Sequence, residues 1–277
     1  MPTDSLPLVA FAQHVGEHAL PIFLSTLAAL VLLAGTAGLL VQRRRARRAT
    51  REEVAPTGLR WLVAAFAAGF ALILGAASLF EAIADRLDPA HAMGQADQAL
   101  ADAIAQHTPL GALRVFARVT HFADPPVLAA LGAIVAIVLW RRRAKLLAAG
   151  WVLALAGNAV LNPLLKGIFE RVRPVHDHGL AQASGFSFPS GHSSGAMVTY
   201  AMLLYVGLRM LPARWHAPAA MAAVALVFSI GCSRIFLQVH FASDVAAGLL
   251  SGLCWAGVCV AGLEFARTRA QYSQKMR

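Results

Sequence analysis

The chain has little charge, few acids and almost no cysteine. Charged residues make up 14% of its 277 positions and hydrophobic residues 58%, with a mean hydropathy of +0.62. That balance excludes an ordinary soluble domain, in which about a quarter of the residues carry charge. The 3 cysteines, Cys232, Cys254 and Cys259, lie within apolar stretches and form no CxxC pair. An odd count in that setting argues against a disulfide framework, and no metal site is implied by them. Acids are outnumbered, 14 against 24 Lys and Arg, for a net charge of +10. Neither an internal repeat nor a low-complexity linker divides the chain, so one membrane domain is expected.

What is abundant is long apolar sequence. A helix needs about 17 to 25 apolar residues to cross a bilayer, and seven such runs are present, at 20–42, 61–80, 125–140, 146–165, 193–211, 218–233 and 245–263. None alternates as a barrel strand would. The expected fold is therefore an all-α integral membrane bundle of about seven transmembrane helices. Asp4 and Glu17 precede the first run, and Arg43, Arg44, Arg45, Arg47 and Arg48 follow it, which reverses the polarity of a cleaved signal peptide. With the N-terminus outside, the segments 43–60, 141–145, 209–217 and 264–277 face inward and hold 17 of the 24 basic residues, as the positive-inside rule requires. The basic excess is spread over short loops instead of forming a basic folded domain with aromatic platforms, so no nucleic-acid partner is expected. Between the second and third runs, 81–124 carries Leu100, Ile104, Leu110, Leu113 and Phe116 at the spacing of surface-lying helices. It either roofs the outer face or rests on the bilayer.

Three polar clusters fall at the ends of apolar segments, where core filling does not explain them. Lys166 continues a stripe from Asn158 and Asn162 at four-residue spacing, which shares one helix face. Either the two Asn residues join that face to a site, or they only hold helices together. Arg173 precedes Pro174, which restricts the backbone around a guanidinium whose planar fork suits phosphate oxygens. Arg171 is expected to contact lipid headgroups. Pro189-Ser190-Gly191-His192 opens the fifth run. Unpaired N–H groups at a helix start attract anions, glycine permits close approach, Ser190 adds a donor and His192 sets a proton donor beside the same oxygens.

Ser233-Arg234 is followed by His240 and Asp244, four residues apart. On a helix those two share a face, and a carboxylate accepting the imidazole Nδ1 hydrogen leaves Nε2 unprotonated and nucleophilic. Below Asp244, the small residues Gly248, Gly252 and Ala256 recur at the same spacing and predict close helix packing. If the seven runs alternate as the charges dictate, all three clusters reach one outer face. His176, Asp177 and His178 are neighbours in a loop and rarely would meet one ion, so that loop is expected to cover the site. Arg114 and Arg118, one turn apart, either grip a second phosphate group or face headgroups.

Lys166-x6-Arg173-Pro174, Pro189-Ser190-Gly191-His192 and Ser233-Arg234-x5-His240-x3-Asp244 together resemble the tripartite signature of the type-2 phosphatidic acid phosphatase family, over 166–244. The apolar runs fit its membrane branch. The resemblance implies a six-helix core over 61–264, an additional N-terminal helix with an outer tail and basic loop over 1–60, and a basic tail over 265–277. It also implies that His240 attacks phosphorus to give a phosphohistidine, that Asp244 orients it and that His192 protonates the leaving oxygen. Lys166, Arg173, Ser190, Gly191 and Arg234 would hold the phosphoryl oxygens, with no metal and no other cofactor.

The expected activity is hydrolysis of a phosphate or pyrophosphate monoester of a membrane lipid. An outward site among lipid-facing helices favours a long-chain substrate, undecaprenyl pyrophosphate or a glycerolipid phosphate, and the arginine- and alanine-rich composition hints at a bacterial inner membrane with the site facing the periplasm. A phosphotransferase using the same phosphohistidine is the enzymatic alternative. A binding or transport protein for lipid phosphates would use the cations, but it would have no need of two histidines and an orienting carboxylate. Oligomeric state is not legible.

Overall fold

The computed structural model describes residues 6–50, 75, 78–86, 91–174, 179–181 and 183–275. Among them there is no strand, and nine long helices carry the chain: α1 (Leu6–Glu17), α2 (Ala19–Thr50), α3 (Ala92–His107), α4 (Leu110–Thr120), α5 (Pro125–Arg141), α6 (Lys145–Phe169), α7 (Gly191–Met210), α8 (His216–Phe236) and α9 (Ala242–Lys275). Helix is found at six of the seven apolar runs; the run 61–80, apart from 75 and 78–80, and the loop His176-Asp177-His178 lie outside the described residues. Four helices are long and apolar enough to cross a membrane, Ala19–Arg43, Lys145–Phe169, Ala213–Phe236 and Ala242–Arg269. A fifth span is Leu110–Ala123 with Pro125–Arg141, bent by 45°, if that pair is taken as one. The chain is an integral membrane protein. Helix α7 is less apolar because it opens Gly-His-Ser-Ser-Gly, and those residues are turned into the bundle.

Helix α7 is the central element, packing on α6, α8 and α9, while α5 pairs with α6 and α2 lies along α8. Leu139, Trp151, Ala154, Val198, Met202, Cys259 and Leu263 form one apolar cluster between α5, α6, α7 and α9. Its buried polar atoms are matched, as an apolar interior demands: Trp151 Nε1 donates to Gly132 O and Trp255 Nε1 to Ala154 O, each at 2.8 Å. The small-residue stripe has the expected role. A Cβ on Gly248 would lie 2.5 Å from Ser190 O, and one on Gly252 would lie 2.8 Å from Ser194 O, so only glycine lets α9 approach the first turns of α7 this closely.

The described residues of 81–124 form a roof over one end of the bundle. Ile104, Leu113 and Phe116 are buried against Phe236, Leu237 and Val239, with Phe116 stacked on Phe236 at 4.2 Å between ring centroids. The N-terminal span joins the same cluster, since Phe23 of α2 meets Phe116 edge-on at 5.1 Å. Leu110 is the exception in the stripe and is 52% exposed.

Candidate active site

The link between α8 and α9 explains the spacing from Arg234 to His240. Helix α8 ends at Phe236, Gln238 takes the left-handed conformation at φ 56°, and the chain folds back so that the N–H groups of Val239 and His240 both donate to Arg234 O at 3.2 Å. Reversal of this kind satisfies carbonyls that a helix end would otherwise leave open. It also returns His240 to the level of Arg234. Helix α9 then begins, and Asp244 in its first turn accepts from Phe241 N at 2.9 Å, half of a capping box. The same bond turns the carboxylate toward His240.

His240 is buried, and its two ring nitrogens meet different partners. Nδ1 lies 3.4 Å from Asp244 Oδ2 and 3.4 Å from Ser187 Oγ, whereas Nε2 lies 3.1 Å from Arg173 Nη1. A guanidinium only donates, so Nε2 is the accepting nitrogen and Nδ1 carries the hydrogen. Burial pushes the His240 pKa down, against the opposing hydrogen bond and charge of Asp244. The ring is therefore a neutral imidazole with an unprotonated Nε2. Arg173 is anchored by donating to Val239 O at 2.6 Å and to the carbonyls of Gly185, Ser184 and Phe186.

Asp244 is fully buried and every side of it is engaged. Arg171 Nη1 donates to Oδ1 at 2.6 Å, Ser187 Oγ and Phe241 N donate to Oδ2, and the Asp244 carbonyl accepts from Ser190 N at 2.9 Å. That last bond ties the start of α7 to the start of α9. The expectation that Arg171 contacts headgroups is overturned: its side chain is 11% exposed. It bridges Asp244 to Asp97 at 2.9 Å, donates to Ser243 Oγ at 2.7 Å, and lies 4.3 Å over the Phe241 ring. The buried Asp244 charge requires a partner of that kind.

The remaining expected residues surround this pair. Lys166 Nζ donates to the carbonyls of Phe186 at 2.5 Å and Ser187 at 3.4 Å, holding the loop that precedes α7. Ser190 is the N-cap of α7, its Oγ accepting from Ser193 N at 3.4 Å and Ser193 Oγ at 2.9 Å, which leaves the hydroxyl's own hydrogen to be donated. Gly191 is dictated by space, since a Cβ there would lie 2.9 Å from Asn162 Oδ1. Asn162 itself donates to Ser194 Oγ at 3.2 Å. Arg234 is buried, donates from Nη1 to Thr120 Oγ1 at 2.6 Å, and its Nε meets no acceptor among the described residues. Lys166, Arg173 and Arg234 lie close enough to repel one another. His192 pairs through Nε2 with Asp124 Oδ1 at 2.9 Å. A cavity of about 460 Å³ begins beside His192, Asn158 and Asn162 and runs along Leu128, Leu155, Pro163 and Val198.

Sequence reasoning missed Asp97, Thr120, Asp124, Arg171, Ser187 and Ser243. For Arg171 a signal existed: Pro174 favours extended backbone before it, and residues two apart in an extended stretch share a face, so Arg171 belongs with Arg173. Asp97, Thr120 and Asp124 had none, being 68 to 146 positions along the chain from Arg171, His192, Arg234 and Ser243. Arg114 and Arg118 are exposed on α4. The described residues that group as metal-ligand candidates are His14 and Glu17 of α1 and His18 just after it, all three exposed.

The PAP2 superfamily model matches residues 145–267, which contain every element of the signature. Phosphatidylglycerophosphatase B of Bacillus subtilis is 36% identical over 104 residues, 37% of this chain and 51% of that protein. A lipid A 1-phosphatase of Rhizobium johnstonii is 32% identical over 46% of this chain and 53% of its own length. The chain thus spans about half the length of these two relatives. Decaprenylphosphoryl-5-phosphoribose phosphatase of Mycobacterium tuberculosis is 35% identical over 151 residues, 52% of this chain and 74% of that protein. The crystal structure of a transmembrane PAP2 type phosphatidylglycerolphosphate phosphatase from Bacillus subtilis superposes with a TM-score of 0.64 at 26% identity, over 74% of this chain and 97% of that one. On the signature, the helical membrane fold and these relatives, the chain belongs to the PAP2 superfamily.

Proposed function

We propose that the protein hydrolyses the phosphate or pyrophosphate monoester of a membrane lipid through a phosphohistidine on His240, at the outer face of the bilayer. The observation that carries this reading is the contact between Arg173 Nη1 and His240 Nε2 at 3.1 Å. A phosphoryl group attracted to that guanidinium arrives at the nucleophilic nitrogen. Lys166 and Arg234 supply further positive charge, the free Arg234 Nε–H is aimed by a buried side chain, and the N–H groups at the start of α7 add donors. Mutual repulsion among three cations is relieved by a phosphate dianion and relieved further as charge builds on the equatorial oxygens in the transition state.

In the first step His240 Nε2 forms a bond to phosphorus, the bond to the leaving oxygen breaks, and His192 gives that oxygen its proton. Asp244 stabilises the positive charge that the His240 ring acquires, and Arg171, Ser187 and Phe241 N keep the carboxylate in place. In the second step His192 takes a proton from water as the water attacks phosphorus and releases His240. All of these steps use side chains of the chain, and the core that supplies them is read as 61–264. The apolar cavity beside His192 suits an acyl or prenyl chain, and the relatives are named for lipid phosphates. Undecaprenyl pyrophosphate and a glycerolipid phosphate are therefore the substrates to test first, in an inner membrane with the site toward the periplasm.

The test is phosphate release by purified protein from each of these lipids, in chelator and without an added hydroxyl acceptor. Multiple turnovers with vanadate inhibition and an acid-labile phosphoenzyme are expected. Release that needs an acceptor makes it a phosphotransferase, and release restored only by a divalent ion removes the mechanism. For orientation, a cysteine replacing Gly179 is expected to react with an impermeant thiol reagent from the periplasmic side; reaction only from the cytoplasmic side reverses the topology.

A further inference from the structure

Asp124 stands at the N-cap of α5, where an aspartate ordinarily accepts from N–H groups of the first helical turn. Its side chain makes no such bond, and Pro125 and Pro126 bring no N–H to that turn. Instead the carboxylate joins two histidines from different elements. Oδ1 meets Nε2 of His192, in the first turn of α7, at 2.9 Å, and Oδ2 meets Nδ1 of His121, in the turn after α4, at 2.7 Å. Burial acts to raise the Asp124 pKa, yet the bonds to His121 and His192 outweigh it and hold the carboxyl below its ordinary range. At neutral pH it is an anion, and an anion only accepts. Nε2 of His192 therefore carries a hydrogen.

We propose that Asp124 is the positioning residue of His192, holding the ring by Nε2 and stabilising its imidazolium so that Nδ1 is the nitrogen that transfers the proton. This rests on the reading of His192 as general acid given above. As His240 Nε2 bonds to phosphorus and the ester bond breaks, the Nδ1 proton moves to the leaving oxygen and His192 remains neutral, with hydrogen on Nε2. The attacking water returns a proton to Nδ1 in the second step. The role matches that of Asp244 toward His240, and of the orienting carboxylate in a serine triad. The other groups around the ring leave this to Asp124 alone. Burial, then Arg234 and Arg173, work against an imidazolium and hold the His192 pKa down at about 4, opposed by the hydrogen bond and charge of Asp124. A bound phosphate dianion offsets the two guanidiniums, and Asn158 and Asn162 of α6 line the same cavity without charge. Among the described residues Asp124 is the anion in reach. His121 holds the outer oxygen and keeps the carboxylate aimed.

The decisive variant is Asp124→Asn in the full-length protein, assayed over pH with a lipid monophosphate and with p-nitrophenyl phosphate, whose leaving group needs little protonation. Loss of a correctly held general acid is worth about 10²-fold or more, so the lipid substrate should lose about 10²-fold and p-nitrophenyl phosphate clearly less. The alkaline limb of kcat/KM, which reports a protonated His192, should move to lower pH because a neutral Asn no longer stabilises the charged ring. His121→Gln, on an exposed side chain, should move the same limb in the same direction by a smaller amount, and it keeps the test available if the Asn variant is not monodisperse. Equal loss on both substrates with the alkaline limb unmoved assigns Asp124 to the structure of the α5 start and overturns the proposal. His192→Ala is measured alongside: if it discriminates between the substrates and Asp124→Asn does not, only the Asp124 proposal fails. If His192→Ala does not discriminate, the general-acid reading fails and the proposal with it.

Discussion

Two histidine–carboxylate pairs share the field of Arg173 and Arg234, and they are built differently. His240 and Asp244 are four residues apart, on one helix start, with side chains 3% and 0% exposed. His192 and Asp124 are 68 residues apart, on two helices, with side chains 21% and 31% exposed. The first carboxylate is locked from every side by Arg171, Ser187 and Phe241 N, whereas the second is shared with a histidine at the surface. The difference suits the work proposed for each. A nucleophile must keep its hydrogen on Nδ1 and its Nε2 aimed at phosphorus, which favours a rigid and fully enclosed carboxylate. A general acid must exchange a proton on every turnover, and an accessible carboxylate permits ring and proton to adjust.

His240→Ala should have the largest effect on this comparison, abolishing phosphate release from every substrate regardless of leaving group, with no acid-labile phosphoenzyme; activity retained on an activated ester would transfer the nucleophile elsewhere. Asp244→Asn comes next. It removes the orienting charge but leaves Arg171 paired with Asp97, so the protein should be monodisperse in detergent and about 10⁴-fold slower, as when the serine-triad carboxylate is changed. Near wild-type turnover would reduce Asp244 to a packing residue of the α9 start.

His192→Ala should cost about 10²- to 10⁴-fold with a lipid monophosphate and distinctly less with p-nitrophenyl phosphate, which separates the two histidines by leaving group. A uniform loss would place His192 among the phosphate-positioning groups. The smallest effect is expected from Gly248→Ala, whose Cβ would be forced to within 2.5 Å of Ser190 O. Overpacking of this size costs about 1 to 3 kcal/mol, read as a lower melting temperature, and the push on the α7 start should weaken substrate binding more than turnover. An unchanged melting temperature would show that α7 and α9 can separate without cost.

The contrast also marks where sequence reading succeeds. The Gly248-Gly252 stripe was legible from helix periodicity. The His240–Asp244 pairing was legible from its short spacing, although His240 lies in the turn before α9 and the cap bond from Phe241 N to Asp244, not a shared helix face, brings the two together. The His192–Asp124 pair was not. Asp124 precedes two prolines and reads as an ordinary helix cap, and nothing local indicates that its cap bonds are not made. Arg171 lay between these cases, since its spacing from Arg173 put it on the right face but did not reveal the two buried carboxylates awaiting it.

By itself the sequence determined the membrane class, the six apolar runs now seen as helices, and the three clusters of the PAP2 signature, because hydropathy and short spacings act through local geometry that is the same in every chain. Tertiary structure alone decided that the 91–124 segment is a roof carrying Asp97, Thr120, His121 and Asp124 into the site, that Arg171 is a buried bridge and that Ser190 caps a helix. Those outcomes depend on which helices pack together. Burial makes each charge seek a partner wherever the fold supplies one, and distance along the chain plays no part in that choice.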